Sequence, residues 1–182
     1  MIRILVIFAS EEGQTSKIAH RLCELLREQG AEVAVRDATK PEAGDRLSGY
    51  DGVIIGSAIH YGHHAKPIRE LVKSHRAILR TRQTAFFSVS LSAGGPLRDA
   101  AAAKRHLDEF SAETGWKPDY ATSFAGAIRH SRYGILKTLL VRLSMRQAGT
   151  PEPGDHEYTN WKAVADFGEV FLRRVEARRR EA

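Results

Sequence analysis

The sequence predicts an α/β fold in which a doubly wound sheet of five parallel strands, in the order 2-1-3-4-5, is covered by helices on both faces. Short runs of β-branched and other apolar residues along the chain are typical of strands that are buried on both faces. Longer segments with apolar residues at helical spacing alternate with them, as in parallel sheets. With 182 residues, 42% of them hydrophobic, the chain is long enough for one domain with a sizeable core.

The first half of the chain alternates between strand and helix signals. Residues 2–8 are an apolar, β-branched run, and the helical pattern after them ends at Gly30, a residue typical of the position just past a helix end. Residues 32–36 alternate as an edge strand does. A polar connection over residues 37–50 leads to another buried strand at residues 52–56. These segments predict the first three strands and the first helix.

The second half of the chain continues the alternation and adds an insert. Helices are predicted at residues 66–81, 97–114 and 160–179, and strands at residues 84–91 and 120–125. Thr159 is the predicted N-cap of the last helix, because its hydroxyl can accept a hydrogen bond from the first turn. The insert, at residues 127–150, lies near the fifth strand in what is predicted to be one domain spanning residues 1–182.

A hydroxyl-bearing loop at residues 10–15 (Ser-Glu-Glu-Gly-Gln-Thr) joins the first strand to the first helix. The first amides of a helix lack intrahelical acceptors and the helix dipole favours an anion, so such a loop can bind phosphate. Gly13 allows close backbone approach, and Ser10 and Thr15 add hydroxyl donors. A single phosphate fits best, because the loop has neither a Walker A Lys-Ser/Thr ending nor a triple-glycine fingerprint. Taken alone, the loop is equally typical of an ordinary helix cap.

Two further loops are predicted at the same edge of the sheet. Residues 57–64 follow the third strand and residues 88–95 follow the fourth, and in this strand order ligands bind beyond strands one, three and four. Because three loops converge at this edge, we favour a phosphate-binding role for the first loop over a role as a helix cap only. His63 and His64 are adjacent, but no cysteine or carboxylate set accompanies them at ligand spacing, so no metal site is predicted.

These loops resemble those of flavodoxin-type FMN-binding proteins, and the resemblance covers nearly the whole chain. It implies a flavodoxin-like fold with FMN as cofactor, its phosphate in the first loop and its isoalloxazine ring between the other two. Glu12 replaces the second threonine of the family's commonest loop, Thr-x-Thr-Gly-x-Thr, so one hydroxyl ligand is missing. Tyr61 is suited to stack on the ring. The implied cofactor-binding residues are Ser10, Glu11, Glu12, Gly13, Gln14, Thr15, Ser57, Ala58, Ile59, His60, Tyr61, Gly62, Ser88, Val89, Ser90, Leu91 and Gly95.

Several shorter motifs resemble a narrower family, the quinone-dependent protoporphyrinogen oxidases of the flavodoxin type. They follow one another in the same order as in that family, at residues 8–15, 53–63, 86–91, 116–119, 126–129, 133 and 158–161. This resemblance implies oxidation of protoporphyrinogen IX to protoporphyrin IX in haem biosynthesis. FMN would pass the electrons to a membrane quinone, menaquinone or ubiquinone.

The insert carries a charge pattern that is independent of any family resemblance. No acidic residue lies between Asp119 and Glu152, whereas the basic residues there include Arg129, Arg132, Lys137, Arg142 and Arg146. On a helical wheel, basic residues flank an apolar stripe that consists of Leu136, Leu139, Leu140 and Leu143. Such a basic amphipathic helix suits an anionic membrane surface or a hydrophobic dianionic ligand such as a porphyrinogen. The alternative is that the leucine stripe packs on the domain as in any surface helix.

Flavin chemistry needs few acid–base residues, because the flavin accepts the hydride equivalent while the protein supplies position and electrostatics. The candidates for accepting protons from the substrate are His60, Tyr61 and His130, with no chemical role as the alternative. The predicted substrate-binding residues are Arg129, Arg132, Tyr133 and Lys137, of which the arginines suit bidentate carboxylate contacts.

The charge balance favours anionic partners, since 28 Lys and Arg against 22 Asp and Glu give a net charge of +6. Basic and aromatic residues are not interleaved on one predicted face, so nucleic acid is not an expected partner. The chain shows no signal peptide and no apolar run of about 20 residues, so a cytoplasmic location is expected. Peripheral contact with the inner face of the cytoplasmic membrane and a homo-oligomer are both left open.

Three other functions fit parts of the pattern. An electron-transfer flavodoxin is typically acidic, which the net charge of +6 opposes. An FMN-dependent NAD(P)H:quinone reductase has no dinucleotide fingerprint to support it here, although such enzymes need not carry one. A phosphoacceptor receiver module needs a carboxylate cluster at the strand ends, where this chain has Ser10 and Ser57. The first two stay as alternatives, and the third is excluded.

Overall fold

The computed structural model of the chain describes residues 1–128 and 156–181. Its strands are β1 (Arg3–Ala9), β2 (Glu32–Asp37), β3 (Gly52–His60), β4 (His63–His64), β5 (Gln83–Ser90), β6 (Tyr120–Ala125), β7 (Ala127–Ile128) and β8 (His156–Glu157). Its helices are α1 (Gln14–Glu28), α2 (Lys66–Leu79), α3 (Ala100–Thr114) and α4 (Trp161–Glu181). None of the helices within the two described ranges has the length and apolar character that crossing a membrane requires.

Five parallel strands form the central sheet in the order β2-β1-β3-β5-β6. The short β4 is a hairpin arm that pairs antiparallel with β3, so the main strands have the predicted order 2-1-3-4-5. The predicted fold class is therefore confirmed. The register places Ala9, Ser57 and Ser88 side by side near the ends of three strands, so the loops that follow these strands start at one edge.

The sheet is buried on both faces, which explains the near-continuous apolar runs of its strands. One face packs against α1 and α4, in a core that includes Val6, Ile54, Phe87, Leu22 and Phe167. The other face packs against α2 and α3, in a core that includes Ile7, Ile55, Phe86, Val72 and Phe110. The thiol of Cys23 lies in the first core and is 1% exposed.

The structure corrects the predicted start of α3, at residue 97, and the predicted N-cap of α4, Thr159. α3 begins at Ala100, since Asp99 Oδ1 accepts a hydrogen bond from Ala102 N at 2.9 Å. α4 is capped by Asn160, whose Oδ1 accepts from Ala163 N at 3.1 Å. Thr159 is not the cap, because its hydroxyl donates instead to Ala125 O at 2.7 Å.

Arginines of α4 lie at the opposite edge of the sheet from the three loops. Arg178 donates to the carbonyl oxygens of Thr81 at 3.1 Å and Arg82 at 3.3 Å, and Arg179 donates to Met1 O at 2.7 Å. These carbonyls belong to the segments that lead into β5 and β1. The charges of Arg178 and Arg179 therefore bind backbone carbonyls far from the three loops, although the net positive charge of the chain had suggested anionic partners.

Candidate functional site

The first loop has the geometry of an anion site. Gly13 is the N-cap residue of α1 with φ 93°, and as a glycine it has no side chain that could cap the first turn. This left-handed conformation favours glycine, because a Cβ would crowd the following carbonyl. Ser10 Oγ accepts from Gly13 N at 3.0 Å, which closes the loop and leaves the hydroxyl hydrogen to donate to another acceptor. Because the first-turn amides of a helix lack intrahelical acceptors, the loop can present several donors to one anion.

Gln14 and Thr15 lie beneath this loop, 6% and 1% exposed respectively. Gln14 Nε2 donates to Thr159 Oγ1 at 2.9 Å, and the same hydroxyl donates to Ala125 O at 2.7 Å. The Gln14 side chain therefore binds the end of β6 and the start of α4.

The second loop is a β-hairpin, so the prediction that residues 57–64 form a loop is wrong. Residues 57–60 continue β3 because Ser57 pairs with both Ala9 and Ser88, and β4 then turns back with His60 opposite His63. Tyr61 and Gly62 connect the two strands with φ 50° and 82°, as in a two-residue type I′ turn. Tyr61 lies at the tip of the hairpin with 86% of its surface exposed, so its ring is accessible to a ligand.

A buried polar group made of Ser57, His64 and Ser88 lies under the hairpin, with exposures of 0%, 5% and 1%. His64 Nε2 and Ser88 Oγ are hydrogen-bonded at 2.9 Å. Ser57 Oγ accepts from Ala65 N at 3.0 Å. Ser57 and Ser88 were predicted to lie beside the flavin ring, and their hydroxyls lie in the core, where they link β3 and β5 to the segment His64–Ala65.

His64 is an uncharged core residue at neutral pH. Burial lowers the pKa of its imidazole to about 3, and nearby His106 adds a smaller effect in the same direction. The ring packs edge-on against Phe86 and Phe110, with centroid distances of 5.1 and 4.9 Å. His64 is therefore suited to supporting the hairpin and not to accepting protons.

His60 lies at the end of β3, next to the first loop. Its Nδ1 is 3.7 Å from Glu11 Oε2, and its side chain is 15% exposed. Within residues 1–128 and 156–181, its buried Nε2 has no hydrogen-bond partner. A buried ring nitrogen without a partner is costly, so this atom fits a polar group supplied by a ligand. The neighbouring Ala58 and Ile59 are partly exposed.

The third loop follows β5, whose last two residues, Val89 and Ser90, are buried, with 4% and 8% exposure. Ser90 Oγ forms a hydrogen bond with Ser92 Oγ at 2.8 Å. Leu91 opens a short 3₁₀ helix, Leu91–Ala93. Gly95 lies against the ring of Tyr158, where an added Cβ would be 2.7 Å from Tyr158 Cγ, so a larger residue does not fit. Tyr158 belongs to the motif at residues 158–161, but nothing in that motif predicts its contact with Gly95.

A cluster that sequence reasoning missed joins α1 to β8 and α4. Lys17 Nζ is 2.6 Å from Glu157 Oε2, and Trp161 Nε1 donates to Glu157 Oε1 at 2.8 Å. Lys17 Nζ also lies 5.1 Å from the centroid of the Trp161 ring, in a cation–π contact. The two ends of the ion pair are 140 residues apart in the chain, so no local pattern could reveal it.

Several predicted residues of the site lie outside the described ranges. They are the candidate proton acceptor His130 and the candidate substrate ligands Arg129, Arg132, Tyr133 and Lys137. The described loops themselves fit FMN: an anion-binding loop, an exposed tyrosine and a buried unpaired imidazole nitrogen are brought to one edge of the sheet.

Comparison with known proteins agrees with this geometry. Residues 5–154 match the family described as the flavodoxin domain. The chain belongs to the flavodoxin family. FMN is the cofactor of this domain, and the predicted cofactor is therefore confirmed.

Curated relatives confirm the narrower family that the motifs predicted. The Escherichia coli K12 protein named protoporphyrinogen IX dehydrogenase [quinone] is 32% identical over 168 residues, which cover 91% of this chain and 92% of that protein. A Leishmania major protein of the same name is 29% identical over 174 residues, which cover 93% of this chain and 74% of that protein. This flavodoxin-family chain is accordingly an oxidoreductase.

Solved flavodoxin structures have the same fold. Oxidised flavodoxin 1 from Bacillus cereus aligns with a TM-score of 0.56 at 19% identity, covering 94% of this chain and 97% of its own. A Streptococcus pneumoniae TIGR4 flavodoxin aligns with a TM-score of 0.55 at 14% identity, covering 97% of this chain and 99% of its own. At such identities the likeness shows the fold alone.

Proposed function

We propose that this chain uses FMN to oxidise protoporphyrinogen IX to protoporphyrin IX and passes the electrons to a membrane quinone. The observation that carries the proposal is the 32% identity, over 91% of the chain, to the Escherichia coli dehydrogenase of that name. The geometry supports it, because three loops start from one edge of a parallel sheet, at the position where ligands bind in this strand order.

Each of the three loops would make a different contact with FMN. The amides around Gly13 and the Ser10 hydroxyl would bind the phosphate, because they present donors at the start of α1. Tyr61 offers an exposed ring for stacking, and the loop around Gly95 would lie on the other side. When bound, FMN supplies an acceptor for a hydride equivalent and a donor of electrons to the quinone.

His60 is our candidate, among the described residues, for taking a proton from the substrate. Each two-electron oxidation removes a proton together with the hydride equivalent, so a base or water must accept that proton. The buried Nε2 of His60 has no partner among the described residues, and Glu11 lies 3.7 Å from Nδ1, where it can orient the ring. His64 cannot take this role, because burial holds its pKa at about 3 and its Nε2 is bonded to Ser88.

The insert would supply the contacts to the substrate and the membrane. A porphyrinogen has a large apolar ring and two propionates, and the insert combines a leucine stripe with basic residues and no acidic ones. Arg129 and Arg132 would bind the propionates in bidentate fashion. The arginines of α4 are unsuited to this role, because Arg178 and Arg179 bind backbone carbonyls at the opposite edge of the sheet. The same insert would bring the chain to the inner face of the cytoplasmic membrane, where the quinone is dissolved.

Steady-state assays with and without quinone test the proposal. FMN-loaded protein, protoporphyrinogen IX and a menaquinone analogue in detergent are expected to produce porphyrin fluorescence catalytically, and only when the quinone is present. A parallel reaction with NADH or NADPH in place of the porphyrinogen tests the quinone-reductase alternative. Quinone reduction by the nicotinamide without porphyrin formation from the porphyrinogen would refute the proposal.

A pair of double variants tests the part assigned to the insert. Replacing Arg129 and Arg132 by glutamine is expected to raise the KM for protoporphyrinogen IX about tenfold or more while FMN content stays unchanged, since each charged hydrogen bond contributes about 1.5–3 kcal/mol. The control replaces Arg173 and Arg180 of α4 by glutamine, which removes the same charge from exposed positions and leaves KM unchanged. Equal KM values for the two double variants would show that Arg129 and Arg132 do not bind the substrate.

A further inference from the structure

Residues 157–161, here called the return segment, bring the chain back from the insert into α4. The segment starts in β8, which pairs antiparallel with β7 through Ala127 opposite Glu157 and Ile128 opposite His156. A two-stranded ladder of this length is not stable by itself. Contacts of the return segment with the rest of the molecule must therefore fix the base of the insert.

One set of these contacts reaches the first two turns of α1. Glu157 accepts from Lys17 at 2.6 Å and from Trp161 at 2.8 Å, and it also interacts with the Gln14 side chain. Burial alone would raise the pKa of Glu157, but the hydrogen bonds from Lys17 and Trp161 lower it overall, so the carboxylate stays charged. Thr159, 9% exposed, accepts from Gln14 Nε2 at 2.9 Å. The helix that opens at the phosphate loop is thus held by residues that follow the insert.

The other set of contacts reaches the third loop. The ring of Tyr158 fills the space over Gly95, and Tyr158 N donates to Gly126 O at 3.1 Å. Gly126 N in turn donates to Ser90 O at 3.1 Å, and Thr159 Oγ1 donates to Ala125 O at 2.7 Å. The return segment therefore touches both loops that are proposed to hold opposite ends of FMN.

We infer that the return segment is a positioning element for FMN, which holds the first turn of α1 and the Gly95 loop in their cofactor-binding arrangement. Because coupling between two sites is reciprocal, bound FMN stabilises the return segment and with it the base of the insert. The Thr159 hydroxyl is the central part of this element, since it joins Gln14 to β6 through two buried hydrogen bonds. The inference rests on the FMN binding of the proposed function and is independent of the porphyrinogen reaction.

FMN titration of Thr159 variants tests the inference directly. Thr159→Val keeps the shape of the side chain but removes its hydrogen bonds to the Gln14 amide and the Ala125 carbonyl, so the Kd for FMN is expected to rise roughly tenfold. Thr159→Ser keeps the hydroxyl and is expected to stay within about twofold of the parent. The readout is quenching of flavin fluorescence as apoprotein is added, with the melting temperature of each apoprotein measured beside it.

The matched control is Glu113→Gln, which weakens another contact between distant parts of the chain. Glu113 pairs with Arg69 at 2.8 Å and Lys73 at 3.0 Å, between α2 and α3 and away from the three loops. This variant is expected to lower the melting temperature while leaving the Kd for FMN unchanged. Should Thr159→Val fail to fold, Lys17→Met replaces it, with an expected rise in Kd of about threefold because its ion pair is partly exposed.

Hydrogen exchange tests the reciprocal effect. FMN is expected to slow amide exchange in a peptide that covers residues 156–161, and Thr159→Val is expected to abolish most of that protection. A Kd within twofold of the parent for Thr159→Val, or exchange that FMN does not change, would overturn the inference. A parent that binds FMN but does not oxidise protoporphyrinogen IX refutes the proposed function and leaves the inference intact, whereas a parent that does not bind FMN refutes both.

Discussion

Replacing His64 by glutamine should change how the stability of this protein depends on pH. The imidazole is 5% exposed, its Nε2 is bonded to Ser88, and burial lowers its pKa to about 3. In the unfolded chain the same group has a pKa of about 6.5. As the pH falls below 6.5, the unfolded state therefore binds a proton that the folded state does not, and this favours unfolding until the pH approaches 3.

The size of the effect follows from these two values. As the pH falls from 7 to 5, a histidine with a folded pKa of about 3 lowers the free energy of unfolding of the parent by about 2 kcal/mol. His64→Gln is less stable than the parent at pH 7, because it loses the ring contacts with Phe86 and Phe110. The stability gap between the two proteins should then narrow by about 2 kcal/mol at pH 5, since glutamine does not titrate.

Urea unfolding at pH 7, 6 and 5 measures this gap, with His63→Gln as the control. His63 is the exposed neighbour on the same short strand, so its replacement makes the same change of side chain without disturbing the buried imidazole contacts. If the unfolding free energies of His64→Gln and the parent decline in parallel from pH 7 to pH 5, the neutral buried imidazole is not the source of acid sensitivity.

Three further predictions concern the cofactor site and the insert. Gly13→Val should destabilise the loop conformation by about 1–3 kcal/mol, because φ at this position is 93°, and it should abolish flavin binding. Full flavin absorbance after desalting would show that the loop does not need glycine to bind FMN. Tyr61→Asn, which suits the positive φ of the turn, should change the unfolding free energy by less than about 0.5 kcal/mol but alter the visible flavin spectrum; an identical spectrum would exclude stacking. Deleting residues 134–145 should leave FMN bound and stop porphyrinogen oxidation, and unchanged turnover with quinone would give the insert a structural role only.

The parts of the fold that could be predicted are those with local signals. The buried strands show as apolar runs, and the phosphate loop shows as a glycine and two hydroxyls between a strand and a helix. The hairpin was missed because its turn is Tyr61-Gly62, whereas Asn-Gly or Asp-Gly is the usual signal for a type I′ turn. The sequence therefore could not show that His60 and His63 face each other across a ladder.

The parts of the site that could not be predicted depend on contacts between distant residues. The burial of Ser57 and Ser88 follows from strand register, which places both near His64 in the core. The pairing of Lys17 with Glu157 joins residues 140 positions apart, and neither residue has a local pattern that marks it. The roles predicted for Arg129, Arg132 and His130 concern residues outside the described ranges and stay predictions.

Anaerobic mixing of FMN-loaded protein with protoporphyrinogen IX tests the proposed reaction most directly. Without quinone, we expect visible flavin absorbance to fall as the substrate is oxidised, with no more porphyrin formed than the bound flavin allows. Adding a menaquinone analogue should restore the absorbance and let porphyrin fluorescence accumulate catalytically. Flavin absorbance that stays unchanged in the presence of substrate would contradict the proposed dehydrogenase and favour an electron carrier or a quinone reductase on the same fold.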